Sequence, residues 1–394
     1  MDLSAPMSAL RRRTSEKWAR YPGDVLPMFV AEMDFGLAPA IRAALHEAVE
    51  LGDTGYVNPR DTGACEAFAA YAAAAWGWSP AVEHMGVTTD VSVVIVESLR
   101  RLIEPGDGVV IMPPVYPPFF DLLPEAGATV VEVPLLDTGS SWEIDLDSID
   151  SAFAAGAKGV LLCHPHNPLG LLHSRDQLTA LSRIVDRHGG FVVSDEIHAP
   201  LTHHGQRFVP YLTVSDEARD HGIAAESGSK AFNLAGLKTA FFVAEGDRMT
   251  ALIRALPDEV SFRTGLFGLL ATRAGFADSL GWLDEAVTAI ESNATLLAEL
   301  LRDQLPAVGF RRPAAGYLAW LDMSALGWGD DPAEHVLHAA RVALSSGPTF
   351  GSPGRGHARM NLACSPETIT EAVSRIARSA YGTEANSEVP EPTW

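Results

Sequence analysis

The middle of the chain alternates short, continuously apolar runs with longer segments in which apolar residues recur every three or four positions. The first pattern predicts strands that are buried on both faces, and the second predicts amphipathic helices. The predicted strands are Met85–Thr89, Gly108–Met112, Ala128–Val133, Gly159–Cys163, Phe191–Ser194, Ile223–Glu226 and Thr239–Ala244. The predicted helices are Ala67–Trp78, Val91–Ile103, Tyr116–Glu125 and Arg175–His188. This alternation predicts an α/β fold, with a mostly parallel seven-stranded sheet between helices.

The pattern changes from Phe276 onward. The elements predicted there are a long helix Leu280–Leu305, an apolar run Gly316–Asp322, a helix near Pro332–Ser345, an apolar run Arg359–Ala363 and a last helix. This order predicts a second, smaller α+β domain. We therefore expect a large domain over residues 45–275, a small domain over 1–44 and 276–382, and a disordered tail over 383–394, which is rich in Glu, Pro and Ser.

Composition and charge narrow the function. The 394 residues are 47% hydrophobic and 20% charged, which is typical of a globular chain of about two domains. Fifty acidic residues against 29 basic ones give a net charge of −21, which disfavours binding to nucleic acid or to an anionic membrane surface. No apolar stretch reaches the roughly 20 residues of a membrane helix. Three widely spaced cysteines fit a reducing compartment, so we expect a cytoplasmic protein.

Three polar residues follow three successive predicted strands. Asn167, Asp195 and Lys230 come after the fourth, fifth and sixth strands, at the ends where open α/β sheets bind ligands. A lysine beside small residues, just after a strand, can approach a ligand closely. An asparagine held between prolines is either a turn residue or a fixed hydrogen-bond donor. A surface lysine or a turn asparagine would be unremarkable alone, but the ordered combination indicates one site.

Asn, Asp and Lys in this order and setting resemble the fold-type I pyridoxal-phosphate enzymes. Four motifs narrow the resemblance to the MalY/PatB group of cystathionine β-lyases, also called cysteine-S-conjugate β-lyases, of the class I/II aminotransferase superfamily. They are Pro27-Met-Phe-Val-Ala-Glu-Met-Asp34-Phe, Gly55-Tyr-Val-Asn-Pro59, Ser194-Asp-Glu-Ile-His198 and Ser229-Lys-Ala-Phe-Asn-Leu-Ala-Gly236. The similarity extends over about residues 10–380. His198 favours this group, because many aminotransferases of the fold have a tyrosine at the corresponding position.

The resemblance implies pyridoxal 5′-phosphate as the cofactor and assigns roles to individual residues. Lys230 is the implied catalytic residue. The implied cofactor-binding residues are Tyr56, Thr89, Asp90, Val91, Tyr116, Asn167, Asp195, His198, Ser227, Ser229, Lys230 and Lys238. The implied substrate-binding residues are Tyr116, Asn167 and Arg359, of which the arginine would bind the substrate carboxylate. Tyr56 resembles a tyrosine that reaches the phosphate of a neighbouring subunit, which implies a homodimer with shared active sites.

Two local features are harder to interpret. Backbone amides at the start of the helix near Val91 can hold a phosphate, but Asp90 adds an acidic group there. Its side chain could cap the helix, and its charge beside a phosphate leaves its role open. His164, His166, His203 and His204 lack acidic or cysteine partners at ligand spacing, so we expect loop histidines and no metal site.

The expected reaction is β-elimination of cystathionine or another small L-cysteine S-conjugate to a thiol, pyruvate and ammonia. Two alternatives remain open at this point. One is an aminotransferase, because both reactions use the same fold and cofactor. The other is a non-catalytic protein that keeps the fold and binds a protein partner.

Overall fold

The computed structural model describes residues 3–58 and 60–382. The chain divides into two units. The large unit comprises the described residues of Leu37–Asn167 and Leu171–Asp284, and the terminal unit those of Met1–Gly36, Pro168–Gly170 and Glu285–Trp394. The predicted domain boundaries after residues 44 and 275 stay a prediction, and the predicted tail over 383–394 lies outside the described residues.

A seven-stranded sheet forms the centre of the large unit. Its strands are β1 (Met85–Thr88), β2 (Gly108–Ile111), β3 (Thr129–Glu132), β4 (Gly159–Cys163), β5 (Phe191–Asp195), β6 (Gly222–Glu226) and β7 (Ala240–Val243). Their order across the sheet is β1-β7-β6-β5-β4-β2-β3. Only β7 runs against its neighbours, β1 and β6. The predicted mostly parallel seven-stranded sheet is therefore confirmed.

The sheet is covered by helices because its central strands have no polar face. Every residue of β4, β5 and β6 is buried. Helix Val91–Leu102 packs on β5, β6 and β7, and helix Arg175–Arg187 also contacts β5. In the described part of the chain, the α-helices of this unit are Pro39–Leu51, Gly63–Trp76, Val91–Leu102, Phe119–Ala126, Leu146–Ala154, Arg175–Arg187, Asp216–His221, Asp247–Arg254, Asp258–Phe262 and Leu266–Asp278.

The terminal unit contains a four-stranded antiparallel sheet and helices, as expected for an α+β arrangement. The strands are β8 (Gly309–Phe310), β9 (Leu318–Asp322), β10 (Ser345–Ser346) and β11 (His357–Asn361), in the order β8-β9-β11-β10. Its described helices are Met7–Leu10, Glu16–Ala19, Pro332–His335, Pro366–Tyr381 and the residues of Leu280–Gln304 from 285 onward. Leu26–Pro27 pairs in parallel with Val342–Ala343.

Two predicted helices were wrong in part. The helix predicted from Tyr116 begins at Phe119, because Pro117 and Pro118 disfavour helical backbone in the residues that precede them. The helix predicted near Pro332–Ser345 ends after one π-helical turn, Val336–Ala340. Arg341 then has left-handed backbone (φ 56°), and the following residues pair as strand with the N-terminal segment.

In the part of the chain that the structure describes, no helix has the length and apolar character that crossing a membrane requires.

Gly268 allows helix Leu266–Asp278 to pack directly against the segment that carries Lys238. A Cβ atom at Gly268 would overlap the carbonyl oxygen of Leu237 and Oγ1 of Thr239. We expect Gly268→Ala to destabilise the fold by about 1–3 kcal/mol, measured by urea unfolding, because overpacking displaces the backbone.

Gly281, in helix Leu280–Gln304, is the matched control. Nothing lies within 4 Å of the Cβ that alanine would add there. Gly281→Ala should stabilise the helix by up to about 1 kcal/mol. Equal effects of the two substitutions would contradict the packing argument.

Candidate active site

The predicted site residues of the large unit, except Tyr56, lie close in sequence to strand ends at one edge of its sheet. β1, β2, β4, β5 and β6 run in one direction, so their carboxyl ends share an edge with the start of the antiparallel β7. We call this the carboxyl edge. Within five residues of these strand ends lie Thr89, Asp90, Val91, Tyr116, Asn167, Asp195, His198, Ser227, Ser229, Lys230 and Lys238. The topology therefore collects the predicted residues, as expected for a ligand site of an α/β sheet.

Asp195 and Lys230 interact electrostatically at this edge. Asp195 is the last residue of β5 and only 5% exposed, and its Oδ1 accepts a hydrogen bond from Ile197 N at 3.2 Å. Burial raises the pKa of Asp195 to about 6, and the Ile197 hydrogen bond and the charge of Lys230 oppose that rise. A buried carboxylate of this kind is stabilised by any proton or cation placed against it.

The backbone around Lys230 is fixed by its neighbours. Ala231 and Phe232 are fully buried, and the Phe232 ring lies edge-on to Phe276 with centroids 5.3 Å apart. Leu234 N donates to Ser229 O at 2.9 Å, which closes the turn. Lys230 itself is half-buried. Its side chain is therefore presented from a rigid segment.

Hydroxyl groups and a helix start provide anion-binding groups at the same edge. Ser227 Oγ donates to Thr239 O at 2.7 Å, accepts from Ser229 N at 3.0 Å and lies 2.8 Å from Ser229 Oγ. The first N–H groups of helix Val91–Leu102 have no carbonyl partner within the helix, and its dipole favours an anion.

Asp90 directly precedes the helix but does not cap it through its side chain. Its side chain makes no hydrogen bond to the helix start. Asp90 Oδ1 instead lies 3.0 Å from Lys238 Nζ, in an ion pair that is partly exposed. Lys238 has left-handed backbone (φ 63°) and lies two residues before β7. The antiparallel β1–β7 register pairs Ala240 with Thr88, which brings Lys238 beside Asp90. The side chain of Asp90 thus forms an ion pair with Lys238, one of the predicted cofactor-binding residues.

Asn167 belongs to a segment that also contributes buried histidines, His164 and His166. It is buried, and its N–H donates to Cys163 Sγ at 3.3 Å. His164 and His166 lie outside helices and strands, as expected, but they are buried together with His173. Burial lowers the pKa of His166 to about 3 and of His173 to about 4, so all three are neutral at physiological pH.

The other two histidines have different surroundings. His203 is buried, whereas His204 is exposed and its Nε2 lies 3.0 Å from Asp284 Oδ1, a partner that the local spacing did not reveal. Among the residues that the structure describes, no group of His, Cys, Asp and Glu could hold a metal ion.

Four further predicted residues have distinct surroundings. Tyr116 is half-buried, with its ring edge-on to Phe119 at 5.9 Å, and His198 is buried beside the short turn Ala199–Leu201. Tyr56 is 95% exposed. Arg359 belongs to the terminal unit, where it lies on β11 and is 6% exposed.

Sequence reasoning missed a pair of buried carboxyl groups beside Asp195. Glu196 and Glu226 are fully buried, and Oε1 of Glu196 accepts from Ser194 Oγ at 2.8 Å and Tyr211 N at 2.9 Å. Glu196 N donates to Ala225 O at 3.0 Å, which places Glu196 beside Glu226, and each carboxyl group influences the pKa of the other. Burial is the main cause that raises the pKa of both, Glu196 to about 7 and Glu226 well above its usual range. Two contacting buried carboxyls cannot both be charged, so we assign the shared proton to Glu226.

The missed pair had a signal in the sequence. Glu226 ends an otherwise apolar strand, Gly222–Glu226, and Glu196 directly follows another buried strand. An acidic residue in such a position is buried with a partner or protonated.

The residues at the carboxyl edge fit pyridoxal phosphate. Ser227, Ser229, Lys238 and the helix start could hold a phosphate group. Asp195, a buried acid, could hold the protonated ring nitrogen, and Lys230 could bond to the aldehyde. These are the three chemical features that distinguish this cofactor from other small anions.

Comparison with known proteins gives the family. A family model described as aminotransferase class I and II matches residues 31–376, most of the chain. The chain belongs to this family. A Mycobacterium tuberculosis protein provisionally named cystathionine beta-lyase is 41% identical over 394 residues, which cover 93% of this chain and 95% of that protein. Cystathionine beta-lyase PatB of Bacillus subtilis is 34% identical over 360 residues, covering 90% and 92%.

The fold also matches a solved structure. The PLP-bound C-S lyase from Staphylococcus hominis superposes with a TM-score of 0.88 at 26% identity, covering 94% of this chain and 96% of that one. The predicted family, fold class and relatives are confirmed. The roles of individual site residues stay predictions.

The Glu196–Glu226 pair predicts a pH-dependent stability. The pKa of Glu226 is higher in the folded than in the unfolded chain, so its stabilising proton is fully present below the unfolded pKa and lost as pH rises towards the folded one. Glu226→Gln keeps a neutral hydrogen-bond donor at every pH. We therefore expect the variant to match the wild type near about pH 4 and to have an increasingly higher Tm as pH rises to about 8.

Other charged groups near the pair are Asp195, which faces both carboxyls, and Tyr71, which faces Glu226. Glu132→Gln, on an exposed position of β3, is the control and should show no such trend. A difference in Tm that stays constant with pH would rule out the shared proton.

Proposed function

We propose that this protein is a pyridoxal-phosphate-dependent carbon–sulfur β-lyase. Its substrate is cystathionine or another small L-cysteine S-conjugate, and its products are a thiol, pyruvate and ammonia. The observation that carries the proposal is the convergence of Asn167, Asp195 and Lys230 at the carboxyl edge of the sheet. The named relatives support the reaction, and the acidic, buried partner of Lys230 supports the cofactor.

The proposal assigns each group at the carboxyl edge to a part of the cofactor. When bound, pyridoxal phosphate supplies an electron sink for the electron pair left at the substrate Cα. Ser227, Ser229, Lys238 and the N–H groups at Thr89–Val91 would bind the phosphate. Asn167 and His198 would bind the ring oxygen, and Tyr116 would cover the ring face.

Asp195 would keep the ring nitrogen protonated. Its burial makes an isolated carboxylate unfavourable, which is why its pKa is raised to about 6. An ion pair between the protonated ring nitrogen and this carboxylate would offset the hydration that both groups lose on burial. Asp195 therefore stabilises the electron-poor state of the ring that the chemistry requires.

Lys230 would act as the base that moves the proton. Its Nζ would take the proton from the substrate Cα. The resemblance separately assigns Arg359 to the substrate carboxylate, which its guanidinium would bind. The bond between Cβ and sulfur then breaks, and the thiolate leaves with the electron pair and takes up a proton. One water molecule hydrolyses the remaining three-carbon fragment to pyruvate and ammonia. The reaction therefore consumes no oxidant or reductant.

An aminotransferase is the second candidate, because the chain belongs to a family described by that activity. Such an enzyme would return the proton to the cofactor side and would need a keto acid to complete its cycle. A non-catalytic protein of this fold would do neither.

The lyase proposal predicts pyruvate release without a keto acid. Pure protein, pyridoxal phosphate and cystathionine should yield equal amounts of pyruvate and a thiol. Lys230→Ala should lower this rate by about a thousandfold or more, because it removes the amine proposed to take the substrate proton. Lys158→Ala, at an exposed lysine, is the control and should leave the rate unchanged.

Turnover that requires added 2-oxoglutarate would show an aminotransferase and overturn the lyase proposal. Bound cofactor with no turnover of any amino acid would instead favour the non-catalytic alternative.

We also propose a cytoplasmic homodimer with shared active sites. Three large apolar side chains are exposed on one stretch of the large unit: Val49 at 59%, Leu51 at 74% and Tyr56 at 95%. Burial of these groups against a second copy would remove apolar surface from water. The three cysteines, each buried and unpaired, support a reducing compartment.

The shared site predicts that Tyr56 acts on the partner's cofactor. Tyr56→Phe removes only the hydroxyl and should weaken pyridoxal phosphate binding about tenfold, measured by equilibrium dialysis. Mixed dimers of Tyr56→Phe and Lys230→Ala subunits should regain one site with both wild-type residues, and hence tight binding and activity. A monomer in sedimentation, or no recovery on mixing, would contradict this arrangement.

A further inference from the structure

We propose that Ser345 is a positioning residue that, with the carbonyl group of Phe29, sets the orientation of the Arg359 guanidinium for carboxylate recognition. This inference rests on the proposed function, which assigns Arg359 to the substrate carboxylate. It adds a residue that the motifs did not indicate and gives the N-terminal segment a part in substrate binding.

Ser345 and Arg359 are cross-strand partners in the terminal unit. β10 pairs antiparallel with β11, and the register places Ser345 directly opposite Arg359. Nη2 of Arg359 donates to Ser345 Oγ at 3.1 Å and to Phe29 O at 3.0 Å. The side chains therefore meet because of strand pairing, and the contact needs no long flexible reach.

The hydroxyl of Ser345 has a defined direction. It donates its single proton to Phe29 O at 2.6 Å, so only its lone pairs remain for the arginine. Serine, arginine and the Phe29 carbonyl thus form a closed set of three hydrogen bonds. Removal of the hydroxyl leaves Arg359 with one of these two acceptors and frees the Phe29 carbonyl from one of its two donors.

The Phe29 carbonyl is itself immobilised by backbone pairing on both sides. Met28 N donates to Ala343 O at 2.9 Å, and Asn361 N donates to Met28 O at 2.9 Å. Nδ2 of Asn361 donates to Val30 O at 2.7 Å. Since Asn361 lies two residues after Arg359 on β11, the same strand carries the arginine and anchors its acceptor.

An aromatic ring completes the setting of Arg359. The guanidinium carbon lies 5.0 Å from the centroid of the Phe350 ring, which covers the planar group by a cation–π contact. With the ring against it and Nη2 bound to two acceptors, the guanidinium has few orientations left. A preoriented fork binds a carboxylate at a lower entropic cost than a free one.

The experiment compares Ser345→Ala with Ser346→Ala in the holoenzyme. Ser346 lies on the same strand, but its Oγ donates to Asp331 Oδ2 at 2.7 Å. We expect Ser345→Ala to raise KM for cystathionine about tenfold with kcat changed less than about twofold, since the loss is in binding. Ser346→Ala should leave KM unchanged, and Ser345→Thr, which keeps the hydroxyl, should recover most of the wild-type KM.

A binding measurement separates positioning from general damage. L-norvaline carries the carboxylate but no sulfur leaving group, and its decarboxylated counterpart, n-butylamine, lacks the carboxylate. By titration of the bound cofactor's absorbance, Ser345→Ala should weaken the first ligand about tenfold and leave the second unchanged. Equal weakening of both ligands, or of neither, would overturn the inference.

Arg359→Ala distinguishes failure of this inference from failure of the proposed function. If Arg359→Ala weakens the carboxylate ligand and Ser345→Ala does not, the positioning role alone is wrong. If Arg359→Ala has no effect on that ligand, its assignment to the substrate carboxylate is wrong, and the inference fails with it.

Discussion

The complete burial of the three central strands is the constraint on which the rest of the large unit depends. Because every residue of β4, β5 and β6 is buried, their N–H and C=O groups must pair with neighbouring strands. Pairing sets the register, and register places Cys163, Asp195 and Ala225 side by side. Polar side chains are therefore restricted to the ends of these strands. Because the strands are parallel, their carboxyl ends lie at one edge of the sheet.

That confinement creates an electrostatic problem at the carboxyl edge. The ends of adjacent buried strands carry three acids, Asp195, Glu196 and Glu226. Their negative charges repel one another and have lost most of their hydration. The positive charge of Lys230 offsets the negative charge of Asp195, and a proton assigned to the two glutamates removes one of their negative charges. The net charge of −21 belongs to the chain as a whole, whereas the groups proposed to bind a phosphate at this edge are two hydroxyls, a lysine and a helix start.

In the terminal unit, hydrogen bonds hold the backbone of the N-terminal segment in place. The carbonyl groups of five successive residues, Met28 to Glu32, each accept a hydrogen bond from residues of this unit. Nearby, the buried ion pair of Lys17 with Asp34, at 3.0 Å, anchors the end of the same stretch. The motif Pro27–Asp34 therefore has a physical role, because its backbone provides the acceptor that orients Arg359.

The sequence by itself determined the strands, their burial and the order of Asn167, Asp195 and Lys230, because hydrophobic periodicity is a local property and strand ends follow from it. Tertiary structure alone decided which distant groups touch. Asp90 and Lys238 are 148 residues apart, and Arg359 and Phe29 are 330 apart. The Glu196–Glu226 pair likewise depends on β5 lying beside β6, and the helix predicted through Ser345 stops because its last residues pair with Leu26–Pro27. Such contacts are set by strand order and register, which no local pattern of polar and apolar residues encodes.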